Sequence, residues 1–89
     1  MSIYLYGAYE DLNSAESVVR MTGINNFPKP SAGFTSIELA KSQIDGPSTV
    51  VVLELQDDAE PDPEFNSTEE FKSYKKGYFI SMSIVTEAN

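Results

Sequence analysis

Ser48-Thr49-Val50-Val51-Val52-Leu53-Glu54-Leu55-Gln56 is the stretch on which the fold reading turns. Its Val50 to Leu53 run is nearly continuous apolar sequence, mostly β-branched, with Gly46-Pro47 before it and Asp57-Asp58 after it. Apolar side chains on both faces suit a strand covered on both sides near the centre of a sheet, the usual situation of a parallel strand. The rest of the chain has to supply its neighbours.

Upstream, Ile3 to Tyr6 reads as a first strand ending near Gly7. Asp11-Leu12-Asn13-Ser14 offers N-caps for a helix running to about Thr22. Leu12, Ala15, Val18 and Val19 fall on one side of it, and Gly23 stands where a C′ glycine belongs. Asn25 to Gly33 contains Pro28 and Pro30 and reads as a loop, with room for a short fourth strand between Asn25 and Phe34. Thr35-Ser36-Ile37-Glu38 has the capping-box pattern, with Phe34 and Leu39 placed as a hydrophobic staple. The second helix is expected to reach about Ile44, with Ile37, Ala40 and Ile44 inward, and to stop at Asp45-Gly46-Pro47.

Downstream, Asp57 to Asn66 is an acidic, proline-bearing loop. Ser67-Thr68-Glu69-Glu70 repeats the capping-box pattern and predicts a short third helix through about Lys75, with Gly77 as C-cap. Tyr78 to Val85 reads as the last strand, with Tyr78, Ile80, Met82 and Ile84 on one face and Phe79, Ser81, Ser83 and Val85 on the other, half-apolar face. Strands separated by helices favour crossover connections. The prediction is a single domain, 1–89, of α/β (or α+β) class. It has two layers and about three main strands, largely parallel, in β-α-α-β-α-β order with helices packed on the sheet. The predicted core is Leu5, Val19, Ile37, Val51, Leu53, Phe71, Ile80 and Ile84.

Composition narrows the class of function. The 89 residues carry fourteen acids against six bases, a net charge of −8, with Arg20 as the one arginine. Direct nucleic-acid binding needs a basic patch to neutralise phosphate, and an anionic membrane surface needs the same, so neither is expected. A basic protein surface is attracted instead. There is no cysteine, which removes disulfides and thiolate metal sites. The opening Met1 to Tyr6 lacks a basic n-region and a long apolar run, so no signal peptide is read and a cytoplasmic location is expected. No stretch approaches the ~20 apolar residues that span a bilayer. Asn66-Ser67-Thr68 matches a glycosylation sequon that has no meaning without a secretory route.

Chemistry-bearing patterns are few. Asp58 to Glu69 places oxygen-bearing side chains at positions 1, 3, 5, 7, 9 and 12 of a twelve-residue calcium loop. However, Pro63 stands where the turn glycine is needed, and the incoming element reads as a strand, so no metal site and no cofactor is expected. Histidine and cysteine are absent, no serine lies in a nucleophile elbow, and the five glycines are isolated. A paired-carboxylate hydrolase needs a cleft that raises one pKa, for which so short a chain leaves little room, so the protein is read as a non-enzyme. Lys72, Lys75 and Lys76 are expected to complement the C-terminus of the third helix.

What remains is binding. Glu54, Asp57, Asp58, Glu60, Asp62, Glu64, Glu69 and Glu70 place eight of the fourteen acids between residues 54 and 70. Carboxylates spaced along an extended, proline-stiffened segment imitate phosphates. Tyr74 is the tyrosine expected to add contact area. The expected function is a stoichiometric inhibitor that occupies the basic site of a nucleic-acid-processing protein. Small acidic phage anti-defence proteins and nuclease immunity proteins are similar in size and charge. The layout also resembles the barstar-type ribonuclease inhibitors in length, in having a strand at each end, and in its central Val51-Val52-Leu53-Glu54-Leu55 strand. That resemblance lies in element order and transfers no binding residues. The alternative is an assembly module, a homodimer or a subunit, that buries the half-apolar sheet face or adds a strand at an edge.

Overall fold

The computed structural model describes residues 1–25, 31–75 and 77–85. Within them lie β1 (Ile3–Tyr9), α1 (Leu12–Asn25), β2 (Ser31–Phe34), α2 (Ile37–Lys41), β3 (Thr49–Leu55), β4 (Phe71–Tyr74) and β5 (Phe79–Ile84). The strands form one sheet in the order β4-β2-β1-β3-β5, and every neighbouring pair is antiparallel. This overturns the predicted three-stranded, largely parallel, β-α-α-β-α-β two-layer domain. The sheet has five strands, the helices number two among the described residues, and the third helix is a strand. No helix among the described residues is long and apolar enough to cross a membrane.

The β3 run misled for a physical reason. Val50 and Val51 point to opposite faces, and each is only 3% exposed, so that end of the strand is covered on both sides as its sequence suggests. Two-sided cover does not require parallel neighbours. Helix α1 packs against β1, β3 and β5, and α2 packs against β1, β2 and β3. β3 pairs with β1 from Ile3↔Leu55 to Tyr9↔Thr49, and with β5 from Leu55↔Phe79 to Val51↔Ile84.

Boundaries shift for local reasons. β1 continues past Gly7 to Tyr9. Asp11 caps α1 by accepting a bond from the Ser14 amide at 2.7 Å, and Gly23 lies inside that helix rather than beyond it. The N-cap of α2 is Ser36, whose Oγ accepts from the Leu39 amide at 3.1 Å, and the helix ends at Lys41 with Ser42 as C-cap. Thr35, expected as the cap, instead donates its hydroxyl to the Glu69 carbonyl at 3.1 Å and its amide to the Glu70 carbonyl at 2.9 Å. The possible fourth strand exists as β2. The rest of the expected Asn25 to Gly33 loop, residues 26–30, and Lys76 lie outside the described residues.

The sheet cannot be flat. β4 and β5 occupy opposite edges, which in a flat sheet would stand ~19 Å apart across four strand spacings. Only five peptide steps join Tyr74 to Phe79, a reach of at most ~18 Å when fully extended. The strands therefore coil, and the inside of the coil is the core. Tyr74 from one edge and Phe79 from the other pack against the same cluster of Leu5, Leu53 and Leu55, together with Ile3, Ala59 and Met82. β2 meets β1 at one register position, Tyr6↔Phe34, and folds the β2–β4 pair toward the Leu5 side. Gly33 permits the approach, because a Cβ there would lie 3.0 Å from both the Leu5 Cβ and the Tyr6 carbonyl oxygen.

Of the predicted core, Leu5, Val51 and Leu53 are buried, and Val19, Ile37, Phe71 and Ile84 are half-buried. Ile80 is 46% exposed. The register along β5 passes from Glu54↔Ser81 to Leu55↔Phe79, so Ile80 sits in a bulge and the alternation switches face there. Phe79, Met82 and Ile84 thus face the core strand's Leu55, Leu53 and Val51. Leu55, Val50, Ala15 and Ala40 are buried as well.

Candidate protein-binding surface

The acidic segment is pinned to the protein along the outer edge of β4. Pro61 forms a β-bridge with Tyr74, the Asp62 amide donates to the Ser73 carbonyl at 3.0 Å, and the Lys75 amide donates to the Glu60 carbonyl at 2.8 Å. Prolines suit this position, since an edge segment needs few donors. Within the segment, the Asp62 carboxylate accepts from the Glu64 amide at 3.0 Å. The Phe65 amide returns to the Asp62 carbonyl at 3.2 Å. The edge of β4 is thereby covered, which protects it from pairing with another chain.

The Ser67-Thr68-Glu69-Glu70 pattern makes a turn rather than a helix. Thr68 Oγ1 accepts from the Glu70 and Phe71 amides at 3.2 and 3.0 Å, while the Thr68 amide donates to the Phe71 carbonyl at 2.8 Å. Ser67 Oγ accepts from the Ser73 amide at 3.2 Å. β4 then pairs with β2 from Phe34↔Phe71 to Ser31↔Tyr74. Lys72 and Lys75 meet no helix terminus among the described residues. Lys72 is half-buried opposite Gly33, and Lys75 Nζ lies 3.2 Å from Glu60 Oε2.

The predicted acids divide by environment. Asp58, Glu64, Glu69 and Glu70 are exposed. Asp57 lies 3.6 Å from the amino terminus of Met1, and Glu60 pairs with Lys75, both in solvent-exposed contacts of little energetic weight. Asp62 is half-buried and structural in its bonding. Glu54 stands apart from this segment, on β3. Tyr74 packs against the Leu5–Leu53–Leu55 cluster, and the tyrosine most open to solvent on the sheet is Tyr4, 49% exposed.

The outer face of the coil takes in Ser81 and Ser83 of the half-apolar β5 face read from the sequence, which did not show what lies beside them. Direct cross-strand partners share a face. One row across the sheet therefore reads Phe71, Phe34, Tyr6, Val52 and Ser83. The next row reads Tyr4, Glu54 and Ser81. Phe34 and Phe71 meet edge to face with centroids 4.8 Å apart, and Phe65, 40% exposed, leans on Phe71 at 5.6 Å. Phe65 of the acidic segment thus meets the outer-face row at Phe71, the first residue of β4. The alternation of Tyr4 with Tyr6 carries the signal for it; the pairing of Tyr6 with Phe34 across β2 does not show in sequence.

Among the described residues, no group of three or more carboxylates converges on a point where an ion could sit, and the twelve residues of the calcium-loop pattern connect β3 to β4, meeting the sheet edge at Glu60 to Asp62. The two shifted pKa values lie elsewhere. Burial raises that of Tyr9, and the Ser14 backbone and side-chain hydrogen bonds lower that of Asp11. Comparison with protein families, with curated proteins and with solved structures finds no match to the chain.

Proposed function

We propose that this protein acts by binding a protein with a basic surface, as a stoichiometric inhibitor that covers a nucleic-acid site, and performs no chemistry of its own. One observation carries the reading. The middle of the acidic segment, Glu60 to Asp62, is held against β4 by backbone hydrogen bonds from Asp62 and Lys75, which restricts the freedom of the carboxylates on either side of it. A restricted array loses less conformational entropy on binding, and its field steers a cationic partner over about a Debye length, ~8 Å at physiological salt. The reading places the protein in the cytoplasm, where such partners work.

The assembly reading has a specific observation of its own. Tyr4 on the outer face and Ile80 in the β5 bulge expose 49% and 46% of their surface. A second copy seated there would bring two molecules of charge −8 together, which opposes it.

The test is affinity capture from a lysate of the source cells, eluting first with salt and then with duplex DNA or RNA. The inhibitor reading expects a nucleic-acid-processing protein released by both. The combined Asp57→Asn, Asp58→Asn, Glu60→Gln and Asp62→Asn variant should bind it with slower association and a shallower salt dependence. Capture insensitive to salt, to nucleic acid and to the four substitutions overturns the reading. A concentration-dependent dimer at low micromolar protein would favour assembly.

A further inference from the structure

Glu54 is the one charged residue in β1, β3 and β5, and it lies on the outer face beside an exposed aromatic ring. Tyr4 is its direct partner on β1 and Ser81 its direct partner on β5. Ser2 Oγ donates to Glu54 Oε2, and Ser81 Oγ donates to Oε1 at 3.3 Å. Each oxygen thus takes one hydroxyl and retains a second acceptor site, and the carboxylate is oriented before any partner arrives. No Lys or Arg of the described residues pairs with it.

The geometry points to an arginine-recognition site, in which a guanidinium of a partner protein stacks on the Tyr4 ring and forks onto both oxygens of Glu54. The assignment rests on the proposed basic partner and names the side chain it inserts. Charge selects a cation. The planar aromatic beside two outward acceptors selects the guanidinium over an ammonium, which is a point charge and gains less from a flat ring or a bidentate fork. The half-buried setting of Glu54 strengthens the pairing relative to exposed acids such as Asp58 and Glu64.

The probe is hexa-arginine compared with hexa-lysine, titrated into the full chain at low salt and followed by backbone amide NMR and calorimetry. Hexa-arginine should bind about two- to fivefold more tightly, the range an exposed cation–π contact supplies. Its largest shifts should fall at Tyr4, Glu54 and Ser81. Glu54→Gln, which keeps the shape, accepts from one serine through its oxygen and donates to the other through its amide group, and Tyr4→Leu should each abolish the preference with circular dichroism unchanged. The four-acid variant of the β4 edge should weaken both peptides alike and leave the preference intact. Equal binding of the two peptides, or a preference surviving both Glu54→Gln and Tyr4→Leu, overturns the site. The two readings fail separately. An arginine preference at Glu54 alongside salt-insensitive capture sinks only the inhibitor reading, and equal peptide binding alongside nucleic-acid-sensitive capture sinks only this site.

Discussion

Gly33 lies against Leu5 so closely that a Cβ on the glycine would stand 3.0 Å from the leucine Cβ, with the Tyr6 nitrogen at 3.2 Å. The obstacles are a core residue and main chain, neither of which can swing aside. Gly33→Ala should therefore destabilise by about 1–3 kcal/mol, the cost of overpacking. Gly46→Ala is a useful contrast, since nothing stands within 4 Å there and only its positive φ of 109° is strained. Urea denaturation of both variants checks this. A Gly33→Ala protein as stable as the parent would mean that β2 does not fold over β1.

Leu55 is fully buried, while Ile80, next in the chain to Leu55's partner Phe79, is 46% exposed in the β5 bulge. Leu55→Ala should cost about 2–5 kcal/mol. Ile80→Ala should stay within about 0.5 kcal/mol, as for surface sites without special features. Thermal melts of the pair test the bulge directly. A large loss at Ile80 would restore simple alternation along β5.

Thr68 holds the turn into β4 with one oxygen accepting two amides. Thr68→Ala should cost about 0.5–1.5 kcal/mol, and Thr68→Ser should recover most of it because the acceptor returns. Amide exchange should quicken at Glu70 and Phe71 in the alanine variant alone. Unaltered exchange there would show that the β2–β4 pairing holds the turn without the hydroxyl.

Asp11 supplies a pH signature. Hydrogen bonds from Ser14 hold its carboxyl below the usual 3.8, so the folded state favours the ionised form. The contribution is fully present above the unfolded value and fades as pH falls through the lower folded value. Stability measured from pH 5 down to pH 2 should fall less steeply in Asp11→Asn, which still caps the helix but does not titrate. Parallel pH profiles for parent and variant would remove Asp11 as a source of acid sensitivity.

Local chemistry was legible in the sequence, and its use was not. The two capping-box patterns pointed to hydroxyls that accept main-chain amides, but in each the hydroxyl that does so two or three residues on is the second of the pair, Ser36 rather than Thr35 and Thr68 rather than Ser67. The same bonds open a helix after Ser36 and a strand after Thr68. What separates them is the partner. Phe71 to Tyr74 find the main chain of β2 on one side and the Glu60–Asp62 segment on the other, and those long-range hydrogen bonds outweigh what one helical turn could form.

The sequence by itself determined the net charge of −8, the acidic concentration between Glu54 and Glu70, the existence of β1, α1, β3 and β5, and the inward place of Leu5, Val51 and Leu53. These follow from residue chemistry and short-range periodicity. Only the tertiary structure decided strand direction, the bulge at Ile80, the turning of Tyr74 into the core and the joining of Phe34, Tyr6 and Glu54's neighbours on one outer face. The reason is separation along the chain. Strand partners such as Tyr4 and Glu54 are fifty residues apart, and an apolar run covered on both faces reads the same whether its neighbours run with it or against it.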